Sequence, residues 1–534
     1  MLRFFFALDI ISLFVSGDGI GDSMYNKVLG GALHGVEGRL ITVEADVSEG
    51  LPTFNMVGFL ASEVREASDR VRTALRNAGY LVPPKKITVN LSPADVRKEG
   101  SAFDLPISIA LLTAYGYIPE ECTRDILMIG ELSLNGDVCG VRGILPIVDY
   151  AKSQGIHKVI LPYQNRREAG VIPDMEIVAV RNLKQTVEYL LGDLTIPTEL
   201  PLQQVGHRSL PFAENFADVK GQKLLKRATE IAVAGMHNIL YLGPPGAGKS
   251  MIAKRIPTIM PGLSYEESLE LTKIYSVNGM LDAEEGLVWN RPFRMPHHSI
   301  TANALIGGGK IPKPGEISLA HHGVLFLDEF LEFQKNVIEM MRQPLEDGKV
   351  TISRLQGSYT FPCNFMLVAA MNPCPCGYYP DRDRCHCTKP QIDRYLKKVS
   401  QPMLDRIDMN IAVKRITYEE LYEERETEDS ATIRKRVVAA HQVQRERLMP
   451  YHISFNSQIP AHLLEEICML GEEECRLRQE AFEQYELTAR GAGKVLRVAR
   501  TIADLEHSER VTCDHILEAL SYRMGNFYQG GELQ

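Results

Sequence analysis

The sequence predicts an α/β protein that ends in a helical region, and three observations support this fold class. Strand-like and helix-like patterns alternate over residues 24–190 and again over residues 213–412. In the second region the strands are short and continuously apolar, which is typical of a buried parallel sheet. From residue 413 onward the chain is charged and amphipathic at helical spacing. We therefore predict two α/β domains followed by a helical domain over residues 413–534.

The composition is that of an ordinary globular protein. Of the 534 residues, 45% are hydrophobic and 24% are charged, and the formal net charge is −9. This balance excludes a globally basic nucleic-acid binder, although local basic elements can still bind phosphate groups. No apolar run reaches the roughly 18 residues that cross a bilayer, so we expect no membrane association.

The first 23 residues are apolar but interrupted. The segment MLRFFFALDIISLFV has one basic residue before its apolar run, contains Asp9 and lacks a clear cleavage site, which disfavours a signal peptide. The segment that begins at Met24 has the pattern of a natural start. We interpret residues 1–23 as an upstream extension or a mis-assigned start, and a disordered or loosely packed tail is the alternative.

The pattern over residues 24–190 predicts a compact α/β domain. GRLITVEADV, KKITVNL and KVILP have the pattern of strands. EVREASDRVRTALRNAGY is amphipathic at helical spacing and ends near Gly79, whereas LPISIALLTAYG predicts a buried helix. Residues 191–212 contain three prolines and little periodicity, so we predict a linker there.

A phosphate-binding loop is the strongest functional signal. The segment NILYLGPPGAGKSMIAKRI contains G-x-x-x-x-G-K-S between a predicted strand and a predicted helix. Its glycines let backbone N–H groups turn towards phosphate oxygens, and the helix amino terminus favours negative charge. Lys249 is predicted to reach the β- and γ-phosphates of ATP, and Ser250 to ligate Mg²⁺. The predicted nucleotide-binding residues are Gly243, Pro244, Pro245, Gly246, Ala247, Gly248, Lys249, Ser250 and Asp328.

Later strands end in polar residues that suit ATP hydrolysis. The apolar run 324–327 leads to Asp328, predicted to hold Mg²⁺, and to Glu329, predicted to orient and deprotonate the attacking water. An apolar strand followed by Asp-Glu is common by itself and becomes informative because it follows the phosphate loop. FMLVAAMN ends in Asn372, which can position the lytic water. Arg406, in PMLDRID, fits either a surface salt bridge or a finger that reaches a neighbouring subunit's γ-phosphate.

Together the motifs resemble one family of ATPases. The phosphate loop, LFLDE, AAMN and PMLDRID occur in the order of AAA+ ATPases. The block PFRMPHHSITANALIGGGKIPKPGEISLAHHGVLFLDEF is similar to magnesium-chelatase-type members. The segments MRQPLEDGKVTISR and MNPCPCGYY make this resemblance more specific. With the amino-terminal block DRVRTALRNAGYLVPPKKITVNLSPADVRKEGSAFDLPISIALL, the sequence resembles the ComM/YifB family over residues 24–525.

The resemblance implies an ATP- and Mg²⁺-dependent AAA+ ATPase with Asn372 as a sensor and Arg406 as an arginine finger. In the lid segment TARGAGKVLRVARTIADL it suggests Arg497 as a second sensor that contacts the nucleotide in cis, with Arg490 less favoured. It also implies a hexameric ring, because a finger that acts in trans needs a neighbour. The family is bacterial and cytoplasmic, and is associated with natural transformation as ATP-driven helicases that move branched DNA junctions.

The DNA-binding candidates follow from the same resemblance. KVTISR, with Lys349 and Arg354, is predicted as one strand of a projecting hairpin, and IGGGKIPKPGE, with Lys310 and Lys313, as an insert loop. In related ATPases such loops line the ring pore, where each basic side chain could neutralise a phosphate. An ordinary solvated hairpin and loop remain the alternative. For the His-His pair at 297–298, in a proline-flanked turn, a structural role is favoured over a metal site.

Four of the ten cysteines cluster as C-x-C-x₈-C-x-C: Cys374, Cys376, Cys385 and Cys387. Two close pairs of thiolates can complete a tetrahedral zinc site. The C-x-C spacing is less usual than C-x₂-C, and His386 offers an alternative ligand. We favour zinc over ordinary reduced cysteines and over a redox or iron–sulfur role.

The amino-terminal domain resembles the Lon-protease fold. Proteolysis there needs a serine in a G-P-S-A-G-like turn and a lysine in the segment that contains GELSLNG. The chain has Ala102 at the nucleophile position, with Ser101 one residue out of register, and Pro146 near the lysine position. We therefore expect a scaffold or DNA-binding module without peptidase activity.

Three functions compete at this point. The favoured one is a DNA-translocating motor, and the alternative is an ATP-driven remodeller or chelatase-like subunit that acts on a protein partner. An ATP-dependent protease is disfavoured by the missing serine and lysine. Stimulation of ATP hydrolysis by DNA distinguishes the first function from the second.

Overall fold

A computed structural model of the chain describes residues 24–198, 212–282, 286–309, 312–354, 357–422 and 427–523. The interpretation of residues 1–23, most of the predicted linker and the candidate Lys310 therefore lie outside the described residues. The chain divides into two compact units, Met1–Val205 with Gly279–Gly286, and Gly206–Asn278 with Leu287–Gln534. We call them the amino-terminal and the carboxy-terminal unit.

The amino-terminal unit contains nine strands among the described residues. They are β1 Met24–His34, β2 Glu37–Ser48, β3 Thr53–Val57, β4 Lys86–Ser92, β5 Ile126–Met128, β6 Glu131–Leu132, β7 Val138–Cys139, β8 Lys158–Pro162 and β9 Glu176–Val180. Its α-helices are α1 Ser62–Arg65, α2 Ala67–Asn77, α3 Asp104–Ala114, α4 Ile144–Ser153, α5 Arg166–Ala169 and α6 Leu183–Leu190.

Seven of these strands form one mixed sheet in the order β3-β4-β2-β1-β5-β8-β9. The pairs β1–β2 and β2–β4 are antiparallel, and the other neighbours are parallel. Every residue of α3 is buried, as its uninterrupted apolar sequence predicts, and the helix contacts β1 and β2. The buried carboxylate of Asp104 at its first turn is held by the Arg70 guanidinium at 2.8 and 2.9 Å.

The first half of the carboxy-terminal unit alternates helices and strands. The elements are α7 Lys223–Gly235, β10 Ile239–Leu242, α8 Lys249–Ile259, α9 Tyr265–Asn278, β11 Phe293–Arg294, α10 Ala302–Ile306, β12 Gly307–Gly308, β13 Lys313–Pro314, α11 Glu316–Leu319, β14 Val324–Leu327, α12 Lys335–Met340, α13 Arg342–Asp347, β15 Lys349–Arg354, β16 Gly357–Pro362, β17 Met366–Met371, α14 Lys389–Leu396, α15 Gln401–Leu404 and β18 Met409–Ala412.

Five strands of this unit form a parallel sheet in the order β11-β14-β17-β10-β18. Strands β10, β14 and β17 are fully buried, which agrees with their continuous apolar sequences. The predicted parallel sheet with flanking helices is thus confirmed. Because all five strands run the same way, the residues that follow β10, β14 and β17 meet at one edge of the sheet.

The rest of this unit is helical, as predicted. Its α-helices are α16 Tyr418–Tyr422, α17 Ser430–Leu448, α18 Leu464–Cys468, α19 Glu472–Gln484, α20 Ala489–Leu505 and α21 Cys513–Ser521. Helices α17 and α20 both contact α7, and one continuous core joins apolar residues of this helical region to those around the sheet. None of the helices described here is long and apolar enough to cross a membrane.

Candidate functional site

The phosphate loop connects the end of β10 to the start of α8. Gly246 and Gly248 have φ angles of 76° and 87°, in the left-handed region that glycine adopts at low cost. The Lys249 ammonium donates hydrogen bonds to the carbonyl oxygens of Gly243 and Pro244. The loop therefore curls around the lysine, and α8 directs its free amino-terminal N–H groups into the same space.

A predicted Mg²⁺ ligand pair forms across the sheet edge. The Ser250 hydroxyl on α8 donates to an Asp328 carboxylate oxygen just after β14, at 2.6 Å. Hydroxyl and carboxylate oxygens are ligands that Mg²⁺ prefers. These two side chains, which the sequence assigned to one ion, lie where a single ion could contact both.

Asn372 completes the sheet edge. It follows β17, which lies between β10 and β14 in the sheet, and its side-chain oxygen accepts a hydrogen bond from Lys249 at 3.0 Å. Burial lowers the pKa of Lys249 to about 8, while the charge of Asp328 acts in the opposite direction. A phosphate that enters the loop would therefore stabilise the charged form of Lys249.

The predicted general base has a partner that the sequence did not assign. Glu329 adopts a left-handed backbone conformation with φ 52°, and its carboxylate lies 3.3 Å from Nδ1 of His298. Both side chains are partly exposed to solvent. His298 was expected to have a structural role. The only sequence signal for another role was its position next to a second histidine in a proline-flanked turn. In the fold it is placed to orient the Glu329 carboxylate.

A cavity of about 990 Å³ beside the phosphate loop was also not predicted. It is lined by Lys220, Gly221, Gln222, Lys414, Arg415 and Arg436 among other residues. The Gln222 amide donates to the carbonyl oxygens of Ala247 in the phosphate loop and of Lys414, at 3.2 and 2.6 Å. Gln222 thus joins the lining of this cavity to the phosphate loop.

Arg406 shares an acidic partner with Arg490. The Arg406 guanidinium contacts one Glu346 carboxylate oxygen at 2.5 Å and donates to the Pro402 carbonyl oxygen at 2.7 Å. Arg490, at the start of α20, contacts the other oxygen of Glu346 at 2.7 Å. The structure brings these two arginines together at an exposed carboxylate.

Arg497, which is expected to contact the nucleotide in cis, makes its described contacts away from the phosphate loop, and its sensor role stays a prediction. Its guanidinium donates to the Ile459 carbonyl oxygen at 2.7 Å and is close enough to Asp408 to feel its charge. Asp408 accepts a hydrogen bond from the backbone N–H of Asn238, directly before β10. The phosphate loop begins at the opposite end of β10, about 13 Å away along the four-residue strand. The apolar face of α20 packs on α7 and directs Arg497 to that far end.

The predicted DNA-binding elements are two short hairpins. Strands β15 and β16 pair antiparallel, as do β12 and β13. Lys313, Lys349 and Arg354 are exposed. A Cβ placed on Gly308 would lie 3.6 Å from an Arg354 guanidinium nitrogen, so the two hairpins lie side by side.

Two predicted features remain: the cysteine cluster and the surroundings of Ser101. Cys374, Cys376, Cys385 and Cys387 lie with all four sulfur atoms within 4.8 Å of one another. In the amino-terminal unit the Ser101 hydroxyl donates to a Glu131 carboxylate oxygen, and no lysine is found among the described contacts of this serine. The expectation that this unit lacks a peptidase dyad stays a prediction that these contacts support.

The fold and the site define a P-loop ATPase of the AAA+ class. Three family models match: magnesium chelatase subunit ChlI over residues 215–421, subunit ChlI of Mg-chelatase over 43–165 and the ChlI C-terminal model over 427–523. Competence protein ComM of Haemophilus influenzae is 40% identical over 494 residues, 92% of this chain and 95% of the relative. Protein YifB of Escherichia coli is 40% identical over 499 residues, again 92% and 95%.

The chain belongs to the ComM/YifB family of magnesium-chelatase-like AAA+ ATPases, which confirms the resemblance. A stretch of 179 residues, 30% of this chain and 32% of the relative, is also 28% identical to Lon protease 2 of Bacillus subtilis.

Proposed function

We propose that the chain is an ATP-driven DNA motor that acts as a hexameric helicase or branch-migration enzyme in the uptake and processing of transforming DNA. One observation carries the DNA assignment: the β15–β16 hairpin, in the same unit as the ATP site, has a face suited to a nucleic-acid backbone. Its inward side chains are Val350, Ile352, Tyr359 and Phe361, all buried. Its outward hydroxyls pair across the strands as Thr351 with Thr360 and Ser353 with Ser358.

Lys349 begins this hydroxyl face, and Arg354, at the other end of β15, is exposed on the opposite side beside Gly308 of the β12–β13 hairpin. Hydroxyl and basic side chains are the groups that contact phosphate oxygens and sugars without reading the base sequence. A motor that moves along DNA needs contacts of this kind, because it must bind every sequence equally well. The competence function named for the Haemophilus influenzae relative agrees with this assignment.

The proposed hydrolysis step uses the residues at the sheet edge. Lys249 and the loop N–H groups hold the β- and γ-phosphates, with Mg²⁺ on Ser250 and Asp328 and the adenosine in the cavity at Gln222. Glu329, oriented by His298, withdraws a proton from the attacking water, which Asn372 positions. Each of these groups lies within one unit, so binding is complete in cis.

Arg406 and Arg490 are the residues that we propose to act on the ATP site of the neighbouring subunit. Without a phosphate they share the Glu346 carboxylate, and we propose that in a ring both turn to the γ-phosphate held by the adjacent subunit. Arginine contacts of this kind stabilise the charge that develops as the phosphoryl group is transferred. Arg490 thus stands beside Arg497 as a candidate second sensor.

A mixing experiment tests the shared site. Arg406→Ala and Lys249→Ala are each inactive alone, and together they regain part of the ATPase rate, because the intact loop of the first can meet the intact finger of the second. The matched control mixes Lys249→Ala with Asn372→Ala, whose defects both lie in cis, and regains nothing. Failure of the first mixture, with both variants assembled, removes Arg406 from the trans role.

DNA stimulation tests the motor. We expect steady-state ATP hydrolysis to rise with single-stranded and forked DNA. Lys349→Ala/Arg354→Ala should lose the stimulation. It should also reduce the magnitude of the slope of log binding constant against log salt concentration by about 1.4, which is two phosphate contacts at ~0.7 each for single strands. Lys435→Ala removes an exposed lysine of α17 and should change neither. A healthy basal rate that no DNA stimulates would favour the alternative, a chelatase-like subunit that remodels a protein partner, which the chelatase family models suggest.

A further inference from the structure

The loop after β17 contains four sulfur atoms that come from two chain segments. Cys374 and Cys376 lie in a turn directly after β17, and Cys385 and Cys387 lie just before α14. The Cys374 sulfur is 3.3 Å from that of Cys376 and 3.7 Å from that of Cys385, and all four cysteines are free. A disulfide needs a sulfur–sulfur distance of about 2.05 Å. These atoms are therefore crowded but not bonded.

The spacing matches a tetrahedral zinc centre. With Zn–S bonds of about 2.3 Å, the edges of a tetrahedron of thiolates are about 3.8 Å long. Two of the sulfurs belong to buried cysteines and two to half-buried ones, so such a centre would be shielded from water on one side. The exposed His386 lies between two of the cysteines and is not part of the cluster of ligand atoms.

One backbone N–H and one guanidinium beside the cluster suit thiolate ligands. The N–H of Tyr379 donates to the Cys374 sulfur at 3.4 Å. Sulfur ligands of a metal accept such bonds, and this outer shell orients them. The Arg382 guanidinium, held on the Cys387 carbonyl oxygen at 3.2 Å, places a positive charge beside four thiolates.

A second group of metal-ligand side chains differs in its chemistry. Glu270 lies 3.2 Å from Nε2 of His321 and 2.9 Å from Nε2 of His322. The backbone N–H of Asn364 donates to Nδ1 of His321, so the proton of the neutral ring is on Nε2, the atom that faces Glu270. A metal needs the lone pair at that position. Hydrogen bonds to the Glu270 carboxylate hold this group together, and the cysteine cluster is the metal candidate.

The cysteine loop is also packed on the ATP site. Gly377, with φ 84°, closes the turn by a hydrogen bond from its N–H to the Cys374 carbonyl oxygen at 2.9 Å. A Cβ on Gly377 would lie 2.6 Å from a Pro245 ring carbon and 3.8 Å from the Asn372 side chain. The backbone of this loop therefore touches both the phosphate loop and the residue predicted to position the lytic water.

We propose that Cys374, Cys376, Cys385 and Cys387 bind one structural zinc ion, which holds the Gly377 turn against the phosphate loop and Asn372. Zinc binding releases the thiol protons and leaves four thiolates around the ion. The ion takes no part in ATP chemistry. It fixes a loop of otherwise irregular backbone, and so keeps Pro245 and Asn372 in place.

Zinc content tests the site directly. The full-length protein, purified without added metal, is expected to carry about one zinc per chain by mass spectrometry of the metal. Replacement of the zinc by Co²⁺ should give the intense visible bands of a tetrahedral tetrathiolate centre. Cys374→Ser/Cys385→Ser should lose the metal, whereas His386→Ala and Cys475→Ser, an exposed cysteine outside the cluster, should keep it. Metal-free protein with four reactive thiols, or with disulfides among them, would overturn the site.

Zinc removal from the wild-type protein tests the bracing role and avoids variants that fail to fold. A mercurial reagent should release the zinc, weaken the binding of a fluorescent ATP analogue several-fold, and allow recovery after thiol and zinc are returned. The circular dichroism spectrum should change little. Full release of zinc with unchanged nucleotide affinity would overturn the proposed bracing of the ATP site by the zinc. Nucleotide binding and DNA stimulation of the wild-type protein are measured in parallel, so loss of this proposal is distinguishable from failure of the proposed motor function.

Discussion

Two serine–carboxylate hydrogen bonds, one in each unit, have very different surroundings. In the carboxy-terminal unit Ser250 donates to Asp328, and in the amino-terminal unit Ser101 donates to Glu131. Beside Ser250 are a lysine, two glycines with positive φ and a helix amino terminus. Near Ser101 the sequence contains Lys98, but this lysine is fully buried and donates to the Pro93 carbonyl oxygen.

The difference shows that a polar pair becomes a site through its neighbours. Ser250 and Asp328 lie at the edge of a parallel sheet, where three strands bring charged and polar groups to one partly open space. Ser101 lies near α3, where Arg70 neutralises the fully buried carboxylate of Asp104. The first arrangement leaves room and charge for a ligand. The second is satisfied within the protein.

The largest contrast is expected from removal of the loop lysine. Lys249→Ala should abolish ATP binding or turnover, because nothing else described in the loop carries a positive charge to the phosphates. Ser101→Ala should leave turnover unchanged, and Lys254→Ala, an exposed lysine on the same helix as Lys249, is the matched control. Steady-state ATPase and nucleotide titrations measure both. Normal turnover by Lys249→Ala would refute the central assignment.

Loss of the general base is expected to separate binding from chemistry. Glu329→Gln should bind ATP with nearly wild-type affinity and lower kcat by roughly 10²- to 10⁴-fold, since the amide cannot take the proton of water. Glu332→Gln changes an exposed glutamate three residues later and should behave as wild type. Single-turnover hydrolysis and equilibrium binding give the two quantities. An unchanged kcat would remove Glu329 from this role.

The buried pair of the amino-terminal unit should matter for stability. Asp104→Ala leaves the Arg70 guanidinium without its partner and should lower the free energy of unfolding of this unit by about 3 kcal/mol. Glu37→Ala removes an exposed partner of Arg39 and should cost less than about 1 kcal/mol. Hydrogen exchange of peptides from residues 24–198 reports this unit separately. Equal protection in the two variants would contradict the comparison.

A smaller effect is expected from pH at the ATP site. The pKa of Lys249 is lowered to about 8 without nucleotide, and phosphate contact favours its charged form. Above pH 8, ATP binding must therefore take up a proton, and the affinity should fall by up to about tenfold per pH unit. Below pH 8 this lysine is already charged and adds no pH dependence. Lys249→Arg stays charged, so its weaker binding should lack this slope, and a slope of the same size there would assign the proton to another group.

Much of the ATP site followed from local sequence patterns. An apolar run of strand length predicts a buried strand, and parallel strands bring their carboxyl ends to one edge. For that reason the positions after β10, β14 and β17 could be assigned before any tertiary contact was known. The left-handed glycines of the phosphate loop likewise carry their own signature, because few other residues adopt that backbone.

Other parts were decided only by the tertiary structure, since they depend on how distant segments meet. Examples are the His298 contact with Glu329, the Gln222 bridge and the shared carboxylate of Glu346. These contacts join residues whose spacing along the sequence matches neither helical nor strand periodicity. The contacts of Arg497 belong with these, because helical periodicity predicts which face of α20 is apolar but not where that face packs. The amino acid sequence by itself determined the chemistry of the phosphate loop and the order of the strands' polar ends. Long-range packing decided which arginines, histidines and cysteines stand beside them.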